Sequence, residues 1–390
     1  MKGKTFFILA AALIAASCYP LVSNWYYTDY VNRKFEQPAR ARVSVAGSYE
    51  SVLLSHRLIE FDKENGITSV KKASLAFGNT LAWISDVRAN CQESLISQRY
   101  LSCANQLLGR HFYYLPVQAV SDGWAEHYSD CDLNVYLLMD AMHLAGKEAE
   151  IVYAPHHAFI AYRNELTQQL EYWETTSPHN SGESADLRQD FYQKNPSNFY
   201  YTPYSAAYAE SIYPALVIDK IPDIVRRTEL LRELYNRFPD NLVVQDAWYE
   251  QKSTITREDA KVLVSLLMTD ITSVSKRILL VNYLNSHQQE ETAQMYLSQI
   301  SDDDCRDTCL KLKSQHAITY HFAQWSLQKL NTLGMSLSLS TFLWSVKDAL
   351  ILDFLILLVF GTYKASQRWP RIICRKRDLP ESQNQDNRAG

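Results

Sequence analysis

Apolar residues recur at helical spacing through the first third of the chain, in Leu53-Leu54, Leu58-Ile59, Leu75 and Leu81-Ala82-Trp83-Ile84. That period predicts helices with one buried face over residues 45–115. The pattern changes between 116 and 178. One amphipathic run, Leu133, Leu137-Leu138, Ala141-Met142 and Ala145, predicts a helix that Ser129 or Asp130 caps and Gly146 ends. Three extended runs follow: Glu150–Ala154, Ala158–Tyr162 and Leu170–Thr175. Pro155 separates the first two, and Asn164–Gln168 turns the chain between the second and third, so these read as strands. Residues 179–224 are rich in Tyr, Ser, Asn and Pro, which predicts a long loop or a domain boundary. Helical spacing returns over 225–300, in Leu230-Leu231-Leu234, Val262-Leu263-Leu266-Leu267 and Leu279-Leu280-Tyr283-Leu284. No clean repeat of about 34 residues accompanies it.

Both ends carry longer apolar runs. Lys2 and Lys4 precede the uncharged stretch Phe6–Ala16, which reads as a signal peptide or signal anchor over 1–24. Cys18 after Ala15-Ala16-Ser17 makes a weak lipobox, so cleavage, lipidation and a retained anchor are all open. Near the other end, Ala349–Tyr363 is apolar apart from Asp353. Taken with Phe342, Leu343 and Trp344, it predicts a second span over 340–363. Lys364, Arg368, Arg371, Arg375, Lys376 and Arg377 follow with no acid among them, which assigns the 364–390 tail to the cytoplasm. Arg33, Lys34, Arg40 and Arg42, just after the first span, pull against this topology.

Composition narrows the function. Of 390 residues 47% are hydrophobic and 21% charged, a folding composition, and the net charge of -4 lacks the basic footprint of a nucleic-acid binder. Neither glycine-loop nucleotide motif occurs. Seven cysteines remain informative. Cys91 with Cys103, and Cys305 with Cys309, are close enough in sequence for two local disulfides, which fits an exported compartment and leaves Cys131 as an odd thiol. Asp302-Asp303-Asp304 reads as an acidic turn capping a helix before it reads as a calcium site.

Cys131 opens the helix predicted after Asp130. Backbone N–H groups and the helix dipole there favour a thiolate, while Asp132 beside it works against one. An antiparallel hairpin centred near Glu165/Leu166 sets Glu174 opposite His157, within reach of a hydrogen bond. A slip of one residue sets it opposite His156 instead. Thiol, imidazole and carboxylate in this order form a nucleophile, a base and a group that orients the base.

The words Asp130-Cys131-Asp132, His157-Ala158-Phe159-Ile160 and Tyr172-Trp173-Glu174-Thr175 resemble the three motifs of the transglutaminase-like cysteine peptidase superfamily. The match favours His157 over His156. It departs from the usual pattern in having Glu174 for Asp and Ser129 for a Gly before the Cys. The resemblance implies an α+β, papain-like core over 45–224, with the Cys-bearing helix packed on an antiparallel sheet. A helical domain over 225–335 and the two membrane segments would flank it. It also implies thiol acyl transfer on a protein or peptide by Cys131, His157 and Glu174, without metal or organic cofactor. Together with the ends, it places the protein in a bacterial inner membrane with its main domain in the periplasm. The competing expectation is a non-catalytic envelope scaffold that binds a partner through 225–335.

Overall fold

The computed structural model describes residues 2–41, 44–176, 182–189, 192, 195–301, 304–305, 307–314, 318–332, 337 and 339–377. Asp302 and Asp303 of the acidic turn lie outside them, as do the side chains of Lys2, Lys4 and the tail beyond Lys364. The chain divides into two compact units, one of Phe35–Cys305 and one that joins Met1–Lys34 to Arg306–Gly390.

After helix α1 (Lys2–Ala41), the larger unit begins with three helices: α2 (Leu54–Glu64), α3 (Val70–Asn90) and α4 (Ser97–His111). A two-residue strand β1 (Tyr113–Tyr114), a short helix α5 (Val120–Ala125) and its partner β2 (Tyr128–Ser129) lead into α6 (Cys131–Leu144). Five strands follow: β3 (Ala149–Ala154), β4 (His157–Arg163), β5 (Leu170–Glu174), β6 (Glu183–Ser184) and β7 (Pro203–Tyr204). They form one antiparallel sheet in the order β6-β5-β4-β3-β7. Helices α7 (Ala206–Leu216), α8 (Ile224–Arg237), α9 (Leu242–Glu250), α10 (Arg257–Thr269), α11 (Val274–Ser286) and α12 (Glu290–Ser298) complete the unit.

Local chemistry sets many of these boundaries. Side chains of Ser69, Asp130, Ser205, Asp223, Asn241 and Ser273 accept from backbone N–H groups that open α3, α6, α7, α8, α9 and α11. Thr256 and Asp259 form a capping box on α10. β3 turns directly into β4: Ala154 pairs with His157 across Pro155-His156, and His156 takes the left-handed conformation at φ 58°.

The two faces of the sheet are buried differently. Ile151, Tyr153, Ala158, Ile160 and Tyr162 face a core shared with Leu133, Val135, Tyr136, Leu137 and Met142 of α6. Val152, Phe159 and Ala161 face the other way, against Tyr192, Leu187 and Tyr201. Each large apolar side chain fully buried here contributes roughly 1.5–3 kcal/mol.

The papain-like α+β expectation is corrected. Among the described residues 64% are helical and 8% are in strands. The sheet is small, and two of its five strands are only two residues long. The apolar stripes of α2–α4 and α7–α12 have a helical period, so they find cover against helices and loops and do not extend the sheet. The architecture is mostly helical, with the Cys131 helix resting on this one sheet.

The smaller unit contains α13 (Asp307–Ser314), α14 (Ile318–Thr332) and α15 (Leu339–Arg377), together with most of α1. Its core gathers Ala323, Leu339 and Phe342, with Leu21, Leu327 and Leu330 packed on them. Among the described residues one stretch, Phe7–Tyr26, is long and apolar enough to cross a membrane. The expected second span lies within α15, where Lys347, Asp348 and Asp353 interrupt the apolar run.

Candidate active site

Asp130 builds the start of α6. One carboxylate oxygen accepts from Leu133 N at 3.4 Å and the other from Val117 N at 3.0 Å. Cys131 is the next residue, half-buried and free of any disulfide. Its Sγ donates to Asp132 Oδ1 at 3.3 Å and accepts from the backbone N–H of Ala158. That contact sets the thiol against the peptide that follows His157. Four other cysteines are in disulfides: Cys91 is bonded to Cys103, and Cys305 and Cys309 are each disulfide-bonded.

His157 Nε2 and Glu174 Oε2 are 2.6 Å apart. Glu174 also accepts at Oε1 from Thr176 N at 3.1 Å and from Thr176 Oγ1 at 2.8 Å. Tyr192 OH approaches Oε2 at 3.4 Å. Burial opposes the carboxylate's charge, but His157 and Thr176 outweigh it and hold the Glu174 carboxyl below its ordinary range.

The register differs from the one expected. Ile160 pairs with Trp173, and Tyr162 with Glu171, so Glu174 sits two residues away from the position opposite His157. A shift of two keeps the face, because side chains alternate along a strand. The pair therefore meets on the diagonal, which a long side chain can span. His156 is elsewhere: it occupies the turn, half-exposed, with Nε2 4.0 Å from Asp304 Oδ1. The sheet face that carries His157, with Phe159 and Ala161, is covered by Tyr192 and its neighbours, while the opposite face carries α6.

The electrostatics reverse the thiolate expectation. Burial, then the charges of Asp132 and Asp130, push the Cys131 thiol well above its ordinary value, and the Ala158 N–H offsets only part of this. Burial and the Asp132 charge push Asp130 up to about 7. Asp132 is also raised, by burial, with the Cys131 hydrogen bond and the His157 charge opposing. Two buried carboxylates beside the sulfur outweigh a helix dipole worth at most about 2 kcal/mol.

Three residues around the site were not anticipated. Thr176 follows Glu174 by two positions, where a hydroxyl residue commonly bonds a nearby carboxylate, and that local signal was readable. Tyr192 comes from the long Tyr-rich segment and has no local signal. Tyr114, on β1, is partly covered, and that partial burial, followed by the charges of Cys131, Asp130, Asp132 and Glu174, raises its phenol. Its hydroxyl thus lies within electrostatic reach of all four. Among the described residues, no three His, Cys, Asp or Glu side chains converge to hold a metal ion.

No protein-family model matches the chain, and no curated protein matches it. Among solved structures, it is similar to menin, in the crystal structure that revealed the binding site for the Mixed Lineage Leukemia protein. Identity is 12% and the TM-score 0.44, over 68% of this chain and 67% of that one. A likeness of that size does not extend to function.

Proposed function

We propose that this protein is a membrane-anchored thiol acyl-transfer enzyme, related in its three motifs to the transglutaminase-like cysteine peptidases. Its substrate would be an amide or peptide bond. The observation that carries the reading is the 2.6 Å contact of His157 with Glu174, together with a disulfide-free thiol that opens a helix and meets the peptide N–H of Ala158, the residue after His157. In the reaction, Cys131 Sγ attacks the carbonyl carbon and its proton passes to His157. Glu174 engages Nε2, so the proton is carried on Nδ1. His157 then protonates the departing amine, and a thioester remains on Cys131. Water or a second amine, deprotonated by His157, attacks the thioester and restores the thiol. Glu174 fixes the ring and balances its charge while it is protonated. The chain would be held in a bacterial inner membrane by its two terminal segments, with the Cys131 region on the periplasmic side and the basic tail in the cytoplasm.

A second reading is a binding or scaffold protein in which the three residues are structural. The raised Cys131 thiol favours it, because a buried neutral thiol bonded to Asp132 is a poor nucleophile. Labelling the full chain with a thiol-reactive acyl probe separates the two. The enzyme reading expects labelling that Cys131→Ala and His157→Ala abolish and His156→Ala leaves intact. Labelling indifferent to His157 supports the scaffold.

A further inference from the structure

Within the smaller unit, two polar contacts tie α1 to α15. Ser17 Oγ donates to Asp353 Oδ2 at 2.8 Å, and Asn24 Nδ2 donates to Ser345 Oγ at 2.8 Å. Leu21, between them, packs on the Phe342 cluster. The contacts run in opposite directions along the two helices. From Ser17 to Asn24 the chain climbs roughly 10 Å, and from Asp353 to Ser345 it descends roughly 12 Å, at 1.5 Å per residue. The rises match, so the helices lie antiparallel. Away from the contacts both present large apolar side chains to the outside: Phe7, Ile14 and Val22 on one, Leu350, Phe354 and Leu358 on the other.

We propose that residues 7–26 are retained as the partner of the C-terminal span, the two forming an antiparallel membrane hairpin clasped by Ser17–Asp353 and Asn24–Ser345, with lipid covering the outer apolar faces. This rests on the membrane reading above. Asp353 interrupts an otherwise apolar run, where a carboxyl is costly unless a neighbouring helix serves it. Ser17 serves one of the carboxyl's two oxygens, while the other, Oδ1, is buried without a hydrogen bond. The Ser17 hydrogen bond is the interhelical kind that holds spans together when hydrophobic burial cannot. Cleavage before Cys18 would remove Ser17 and leave Asp353 without it, so the clasp requires the lipobox-like sequence to stay unprocessed. Antiparallel pairing also brings the Lys2/Lys4 end to the same membrane face as the basic tail, in line with the charge rule.

The test uses the full chain in membranes, in a Cys18→Ser background, with Asn24→Cys and Ser345→Cys and a protease site inserted between Ser48 and Tyr49. After mild oxidation and cleavage, the N-terminal fragment should stay with the body of the chain and leave on reduction. The outward pair Ile14→Cys with Leu358→Cys should release it at once. Intact mass of the unmodified chain should include the residues before Cys18. Loss of that segment, or a lipid on Cys18, overturns the proposal even if the variants misfold. A chain that resists carbonate extraction yet never cross-links overturns the clasp alone. A chain that carbonate releases overturns the membrane reading with it. None of these outcomes bears on the thiol chemistry.

Discussion

Glu174 reaches His157 on the diagonal between two antiparallel strands, and its carboxylate closes to 2.6 Å of the imidazole. The reach depends on side-chain length. A residue directly opposite could be shorter, but from two positions away the extra methylene of Glu closes the gap. Thr176 then fixes the second oxygen from the same strand end, so the carboxylate is held at both atoms.

Shortening that arm should therefore harm the site more than neutralising it. Glu174→Asp withdraws the carboxylate from Nε2, and the ring loses its orienting partner. Glu174→Gln keeps the length and a hydrogen bond but not the charge. The acyl-probe labelling rate should fall at least tenfold in Glu174→Asp and less in Glu174→Gln. Loss of one charge-assisted hydrogen bond, about 1.5–3 kcal/mol, sets that scale. Equal rates for Glu174→Asp and the unmodified protein would remove Glu174 from the set.

The Cys131 thiol should be slow toward iodoacetamide at neutral pH. Alkylation needs the thiolate, and burial with Asp132 and Asp130 pushes the thiol's titration upward. The rate should keep rising with pH beyond the range of an ordinary cysteine. Asp132→Asn removes the nearest negative charge, and alkylation at pH 8 should become several-fold faster. Mass spectrometry of the Cys131 peptide reads both. A fast reaction at pH 7 that Asp132→Asn does not change would show that the carboxylates do not govern the sulfur.

The Cys91–Cys103 bond joins the end of α3 to α4 across a separation of 12 residues. Closing a loop of that size is worth roughly 3 kcal/mol in the chain-entropy model. Cys91→Ala with Cys103→Ala should lower the thermal midpoint of the detergent-solubilised chain by several degrees. The reductant sensitivity of the double variant should shrink to what the disulfide at Cys305 and Cys309 contributes. A midpoint unchanged by both reduction and substitution would mean that the bond adds no stability.

Much of this was legible because it is local. The α6 cap at Asp130, the three long strands and the two disulfides follow from short-range spacing. The histidine was legible from its word, His157-Ala158-Phe159. The register was not, because the loop around Asn164 carries residues that the strand pattern does not count. The fold class failed for a different reason. Local motifs describe the Cys131 helix and its sheet, but the helical stripes of α2–α4 and α7–α12 decide the architecture. Nor does alternation tell which sheet face α6 will cover when both are apolar. Tyr192 settles that by occupying one of them from far along the chain.

Stability should fall as pH rises from about 4 to about 7. Asp62, Asp140 and Asp246 are each pushed up to about 6, first by burial, against 3.8 for an ordinary aspartate. Asp130 reaches about 7. Between those limits the folded chain keeps protons that the unfolded chain has released. Raising pH therefore favours unfolding, by up to about 1.4 kcal/mol per pH unit for each group. Above this window the effect levels off. Buried His56, pushed down to about 4 from 6.5, acts with the opposite sign inside this window and offsets about one aspartate's share, while the lowered carboxyls Glu165 and Asp186, at about 2, act so only at more acid pH. Asp140 accepts from Leu54 N at 2.6 Å and Ser55 N at 2.9 Å, so it anchors the start of α2. Asp140→Asn loses one acceptor and should lower the midpoint at every pH, while making its decline between pH 4 and 7 shallower. Calorimetry of the full chain in detergent measures both. A midpoint that climbs across this window would mean that these aspartates ionise in the folded state as they do in water.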